Sequence, residues 1–154
     1  MITIKKAVFS SALLLMSSWG AAQPPVSKNV LSEDVCHQND STVEIQKCDT
    51  QRYQDADKQL NAIYSAAIKN LDQNKKLTLQ ESQRAWIKYR DTTFSLVLSL
   101  NNDVGTYGGV VYGNFKASFV SNRVKELVNI FVEPSGDMPE WWPSSAPTWR
   151  DLKN

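Results

Sequence analysis

Histidine and cysteine are scarce in this chain: one histidine, His37, and two cysteines, Cys36 and Cys48, in 154 residues. An envelope hydrolase needs a nucleophile with a base, a pair of carboxylates or a metal. The single imidazole sits beside Cys36, with no set of further ligands in view, and no carboxylate pair stands out from the 16 acidic residues. The expectation is therefore a protein without catalytic residues, metal or cofactor. Charge of one sign is lacking too. The chain holds 17 Lys and Arg against 16 Asp and Glu. Removing Lys5 and Lys6 with the N-terminal segment leaves 15 bases against 16 acids. Such a balance offers no electrostatic footprint for nucleic acid. Beyond the N-terminal segment no apolar run approaches the ~20 residues a membrane span requires, so none is expected after that segment is removed.

The N-terminal segment itself is distinctive. Lys5 and Lys6 precede an apolar stretch from Ala7 to Trp19, and Gly20 and Ala22 are small residues at the positions a signal peptidase reads. Residues 1–22 are expected to be a cleaved signal peptide, placing the mature chain in the periplasm or outside the cell. In such an oxidising compartment, two cysteines at short spacing read as a disulfide, Cys36 to Cys48. Residues 23–35, with Pro24 and Pro25, read as an extended leader.

Helical periodicity governs the rest. Ser41-Thr42-Val43-Glu44 has capping-box spacing and opens a short helix over about 41–48, with Asp49 or Thr50 capping the next. A long helix over about 50–72 places Tyr53, Ala56, Leu60, Ile63, Tyr64, Ala67 and Leu71 at three- and four-residue steps. Another over about 76–99 carries Leu79, Gln83, Trp86, Tyr89, Arg90, Thr93, Phe94 and Val97 on its inward face. The short link between them predicts an antiparallel hairpin. Gly105, Gly108, Gly109 and Gly113 mark 101–114 as a loop, in which Val110-Val111-Tyr112 could be extended. A last helix is expected over about 114–132. Pro134, Pro139, Pro143 and Pro147 exclude a long helix from the tail, residues 133–154. The predicted fold is all-α: a small domain over 36–132, built on the helical hairpin, with a short disulfide-linked N-terminal helix, a Gly-rich loop and a final packing helix.

The string Gln83-Arg84-Ala85-Trp86-Ile87-Lys88-Tyr89-Arg90-Asp91 follows Leu60-Asn61-Ala62-Ile63-Tyr64 and precedes Gly108-Gly109 and Arg123. With Cys36 and Cys48 ahead of it, this order resembles the LprI-type lysozyme-inhibitor family of secreted bacterial domains. The resemblance covers about residues 36–130 and implies that Leu60, Asn61, Tyr64, Gln83, Trp86, Tyr89, Arg90, Asp91, Gly108, Gly109 and Arg123 form a structural motif. Relatives of this type carry two further cysteines, at the positions of Phe94 and Phe115 here. The resemblance implies that a second disulfide has been replaced by an aromatic contact, with ring centroids within ~4.5–7 Å.

The resemblance also implies protein binding, with a lysozyme or other peptidoglycan hydrolase as the partner. The alternatives are an immunity protein or binding module against another envelope-degrading effector, and a structural envelope protein without inhibitory activity. Partner contacts are expected from Asp103, Tyr107 and Tyr112 in the glycine loop, or from Trp141, Trp142 and Trp149 in the tail. The simpler reading of those tryptophans is that they fold back over an open helical face. Oligomeric state is left open by the sequence.

Overall fold

The computed structural model describes Cys36 and residues 41–152. The expected signal peptide, the extended leader and His37 lie outside the described residues. Three helices follow in order: α1 (Thr42–Asn70), α2 (Gln73–Asn101) and α3 (Thr106–Phe131). The chain is all-α among the described residues, as expected, and Cys36 and Cys48 are bonded with Cα atoms 5.6 Å apart.

α1 corrects one expectation. The short N-terminal helix and the long one after it are a single continuous helix. Ser41 does cap it, its hydroxyl accepting the Glu44 N–H at 3.2 Å. No glycine or proline interrupts Thr42–Asn70, and the two residues expected to cap a second helix are otherwise engaged. Asp49 is buried against Arg52, and the Thr50 hydroxyl donates to the Gln46 carbonyl at 2.7 Å, a bond available inside a helix. The disulfide thus clips the preceding chain to the body of α1.

Leu71 and Asp72 link α1 to α2. Asp72 caps α2 by accepting the Lys75 N–H at 3.0 Å, and hydrogen bonds from Lys75 hold its carboxyl below the ordinary value. This cap starts α2 earlier than periodicity alone suggests.

The glycine-rich stretch is the second correction. Only 102–105 form a turn, with Gly105 at φ 63°, where a side chain would be strained. Gly108, Gly109, Val110, Val111, Tyr112 and Gly113 are helical, and Val110 is buried. Two of the α3 glycines are explained by close approach. A Cβ on Gly108 would collide with the Asn101 carbonyl oxygen, and one on Gly109 would meet the Gln46 side-chain amide at 2.8 Å. At Gly113 the nearest atom, Asp49 Cβ, stands 3.4 Å away. Gly108→Ala is therefore expected to cost about 1–3 kcal/mol by thermal melting, through overpacking against backbone. Gly113→Ala is expected to be neutral or stabilising by up to ~1 kcal/mol, because helix propensity then dominates. Equal effects of the two would contradict this account of the turn.

Paired residues set the topology. Gln46 meets Thr106 and Arg52 meets Asn114, so α1 and α3 run parallel. Gln83 meets Arg123 and Phe94 meets Phe115, so α2 runs antiparallel to both. α1 and α2 are the arms of the hairpin, yet they barely touch; each packs on α3, α1 most extensively. Ala56, Leu60, Ile63 and Ala67 of α1 form the core with Val120, Val124 and Leu127 of α3, joined by Leu79 and Phe94 of α2. The tail closes one end. Ala146 enters the core, and Trp141 and Trp142 lie against Phe131 with centroids 5.2 and 6.0 Å from it.

Candidate protein-docking site

Part of the sequence motif, Gln83, Trp86 and Arg123, holds α2 on α3. Arg123 is 4 % exposed, and its guanidinium donates to Gln83 Oε1 at 3.2 Å and to the Ser82 hydroxyl at 3.0 Å. It also pairs with Glu126 at 2.8 Å. The Arg123 and Arg90 guanidinium carbons lie 5.7 and 5.4 Å from the Trp86 ring centroid, a cation–π arrangement. Arg90 also pairs with the adjacent Asp91 at 2.8 Å. Leu60 is core and Tyr64 packs against it. Asn61, by contrast, is exposed and bonded to Asp57, and Tyr89 is 61 % exposed with its ring 5.4 Å from Phe119.

Phe94 is the centre of an aromatic cluster. Its ring lies 6.3 Å from Tyr112, 6.2 Å from Phe115 and 5.5 Å from Phe119, each edge-on. The two phenylalanines thus meet within the expected range. Lys116 caps the cluster, its ammonium 4.5 Å from the Tyr53 ring and 5.2 Å from Tyr112. Burial, aided by the Asp57 charge, raises the Tyr53 hydroxyl above its ordinary pKa. Tyr112 is therefore half-buried beneath a lysine, apart from the other loop candidates.

Those others lie at the tip where α2 turns into α3. Asp103 is exposed in the turn, and Tyr107 is 60 % exposed on the first turn of α3. Around them stand apolar residues that periodicity did not single out. Leu100 and Val104 are 70 % and 48 % exposed, and Leu96 and Leu98 precede them on α2, also exposed. The Gln46 amide donates to the Thr106 carbonyl at 3.0 Å, bringing the start of α1, with exposed Val43 and Glu44, to the same end. No lysine or arginine occurs between Arg90 and Lys116. One signal was available in the sequence: Leu96-Val97-Leu98-Ser99-Leu100 spreads apolar residues round the whole helix, more than α3 alone can cover.

The tail candidates are elsewhere. Trp141 and Trp142 pack at the last residue of α3, and the Trp142 indole donates to the Pro147 carbonyl at 3.1 Å. Half-buried Trp149 approaches Gly136. Tyr107 and Phe131 are separated by 24 helical residues, about 36 Å. The structure thus separates Asp103 and Tyr107 at one end from the tail tryptophans at the other, with Tyr112 held in the aromatic cluster.

Among the described residues no helix is long and apolar enough to cross a membrane, and no three His, Cys, Asp or Glu side chains gather as metal ligands. A family model described as lysozyme inhibitor LprI matches residues 33–127. The matched span includes the tip and stops before the tail. No curated protein and no solved structure matches the chain.

Proposed function

The chain belongs to the LprI family of lysozyme inhibitors, and on that premise we propose that it binds and inhibits a lysozyme-like peptidoglycan hydrolase in the periplasm or outside the cell. The observation that carries the proposal beyond the family is the tip, an exposed apolar patch of Leu100, Val104 and Tyr107 inside the matched span. Contiguous exposed apolar surface on a small domain marks a contact site, and aromatic residues supply much of the binding energy at such sites. The Cys36–Cys48 bond supports an oxidising compartment.

The chemistry of the tip also suggests how inhibition works. Asp103 and Glu44 are its exposed acids, and the turn offers no cation to enter a cleft built around catalytic carboxylates. The tip fits an apolar rim of such a cleft and blocks a polymeric substrate by covering it. Tyr107→Ala and Leu100→Ser are each expected to weaken binding to a lysozyme by about tenfold in titration calorimetry. Both side chains are exposed, so melting temperatures should hold. Wild-type affinity in both variants would place the contact elsewhere.

A further inference from the structure

We propose that the groove at the opposite end, under the C-terminal tail, binds a neutral saccharide. The groove encloses about 670 Å³ and is formed by the first turns of α2, the end of α3 and the tail. That volume lies within the ~300–1,000 Å³ of ordinary small-ligand sites. A pyranose presents an apolar C–H face and a rim of hydroxyls, so its site needs an aromatic or aliphatic floor beside uncommitted polar groups. Leu79, Phe131 and Trp141 provide the floor. Trp141 is held in place edge-on to Phe131, with an interplanar angle of 83°.

The polar groups are available. Among the described residues, the Asn74 amide, the Glu133 carboxylate and the Trp141 indole N–H make no hydrogen bond with protein, and all three residues line the groove. Ser82 accepts from Arg123 and so keeps its own proton to donate. Charge narrows the ligand class. Lys75, the one cation in the lining among the described residues, is paired with the Asp72 carboxylate at 2.9 Å. Glu133 has no ion-pair partner among the described residues, and its negative charge disfavours phosphates and carboxylates. A neutral, hydroxyl-rich ligand with one apolar face satisfies this lining; a bare alkyl chain leaves its polar groups unused. The groove lies at the opposite end of α3 from the tip, and the proposal does not depend on the inhibitor reading.

The test is a titration of the ¹⁵N-labelled mature chain with chitotriose and with cellotriose, followed by the Trp141 indole and Asn74 side-chain resonances. At least one trisaccharide is expected to shift both resonances saturably, with a dissociation constant of about 1 mM. Trp141→Ala should weaken that binding at least about tenfold, by loss of the stacking face. Because Trp141 also anchors the tail, exposed Glu133→Ala serves as the second variant; it should weaken binding several-fold and leave the melting temperature unchanged. No shift from either sugar at about 20 mM would overturn the proposal. So would shifts produced by 1-octanol and not by the sugars, which would mark an alkyl site, or sugar shifts that both folded variants retain.

Discussion

Replacing Asp49 with alanine is expected to lower folding stability by about 3–5 kcal/mol, a large share of the ~5–15 kcal/mol available to a domain of this kind. Asp49 is fully buried and the Arg52 side chain is 6 % exposed. Arg52 Nη1 donates to Asp49 Oδ1 at 2.9 Å and to Asn114 Oδ1 at 3.0 Å. Among the described residues, Arg52 Nε and Nη2 and Asp49 Oδ2 are buried without partners. Asp49 is thus the charge that balances the buried Arg52 guanidinium among the described residues. Its removal takes that counter-charge away, and an uncompensated buried charge costs far more than a well-made buried pair contributes. The double variant Asp49→Ala/Arg52→Met should therefore lose less stability than Asp49→Ala alone. Urea unfolding of the three proteins decides it. A single variant within about 0.5 kcal/mol of wild type would show that water reaches Arg52 and that the pair does not hold α1 to α3.

Phe94→Ala should also cost about 3–5 kcal/mol, but with a different distribution of damage. α2 buries only Leu79, Gln83 and Phe94, and it hardly contacts α1. Phe94 supplies the edge-on contacts to three rings of α3, while Arg123 and Trp86 hold the neighbouring stretch. Without Phe94 the C-terminal half of α2 loses its main attachment, whereas the α1–α3 core keeps its own. Amide exchange is expected to accelerate in residues 90–101 well before it does in α1. Uniform acceleration through all three helices would mean that α2 is not held separately. The covalent counterpart is Phe94→Cys/Phe115→Cys. Replacement of a disulfide by this contact implies a bridge under oxidising conditions, and a folded variant that keeps two free thiols would refute it.

The long helices were legible because their apolar residues recur at helical steps, and Ala56, Leu60, Ile63 and Ala67 are buried as that pattern demands. The break placed at Asp49 and Thr50 arose from reading capping residue types where the chain uses one for a buried ion pair and the other for a bond within the helix. Sequence spacing cannot separate these uses, since an Asp and an Arg three apart look like any exposed helix pair. The glycines misled for a related reason. Each costs a helix about 0.8–1 kcal/mol relative to alanine, so four within nine residues read as a loop. Only the approach of Asn101 and Gln46 to the α3 backbone shows why a helix holds Gly108 and Gly109. The Phe94–Phe115 contact was legible through the family resemblance alone, because nothing local ties those positions together. The apolar tip was only hinted at by the apolar run Leu96–Leu100, because Leu96, Leu98 and Leu100 belong to a helix already assigned a core face. Their exposure follows from the position of α2 on the outside of α3, a tertiary fact.

The measurement that bears most directly on the proposed function is peptidoglycan hydrolysis by a lysozyme in the presence of the chain from residue 23 onward, repeated with lysozymes of several unrelated folds. For at least one of them, hydrolysis should fall steeply as the added protein exceeds the enzyme, and Tyr107→Ala should restore it. Undiminished hydrolysis by every lysozyme at large molar excess of the folded, disulfide-bonded protein would contradict the account.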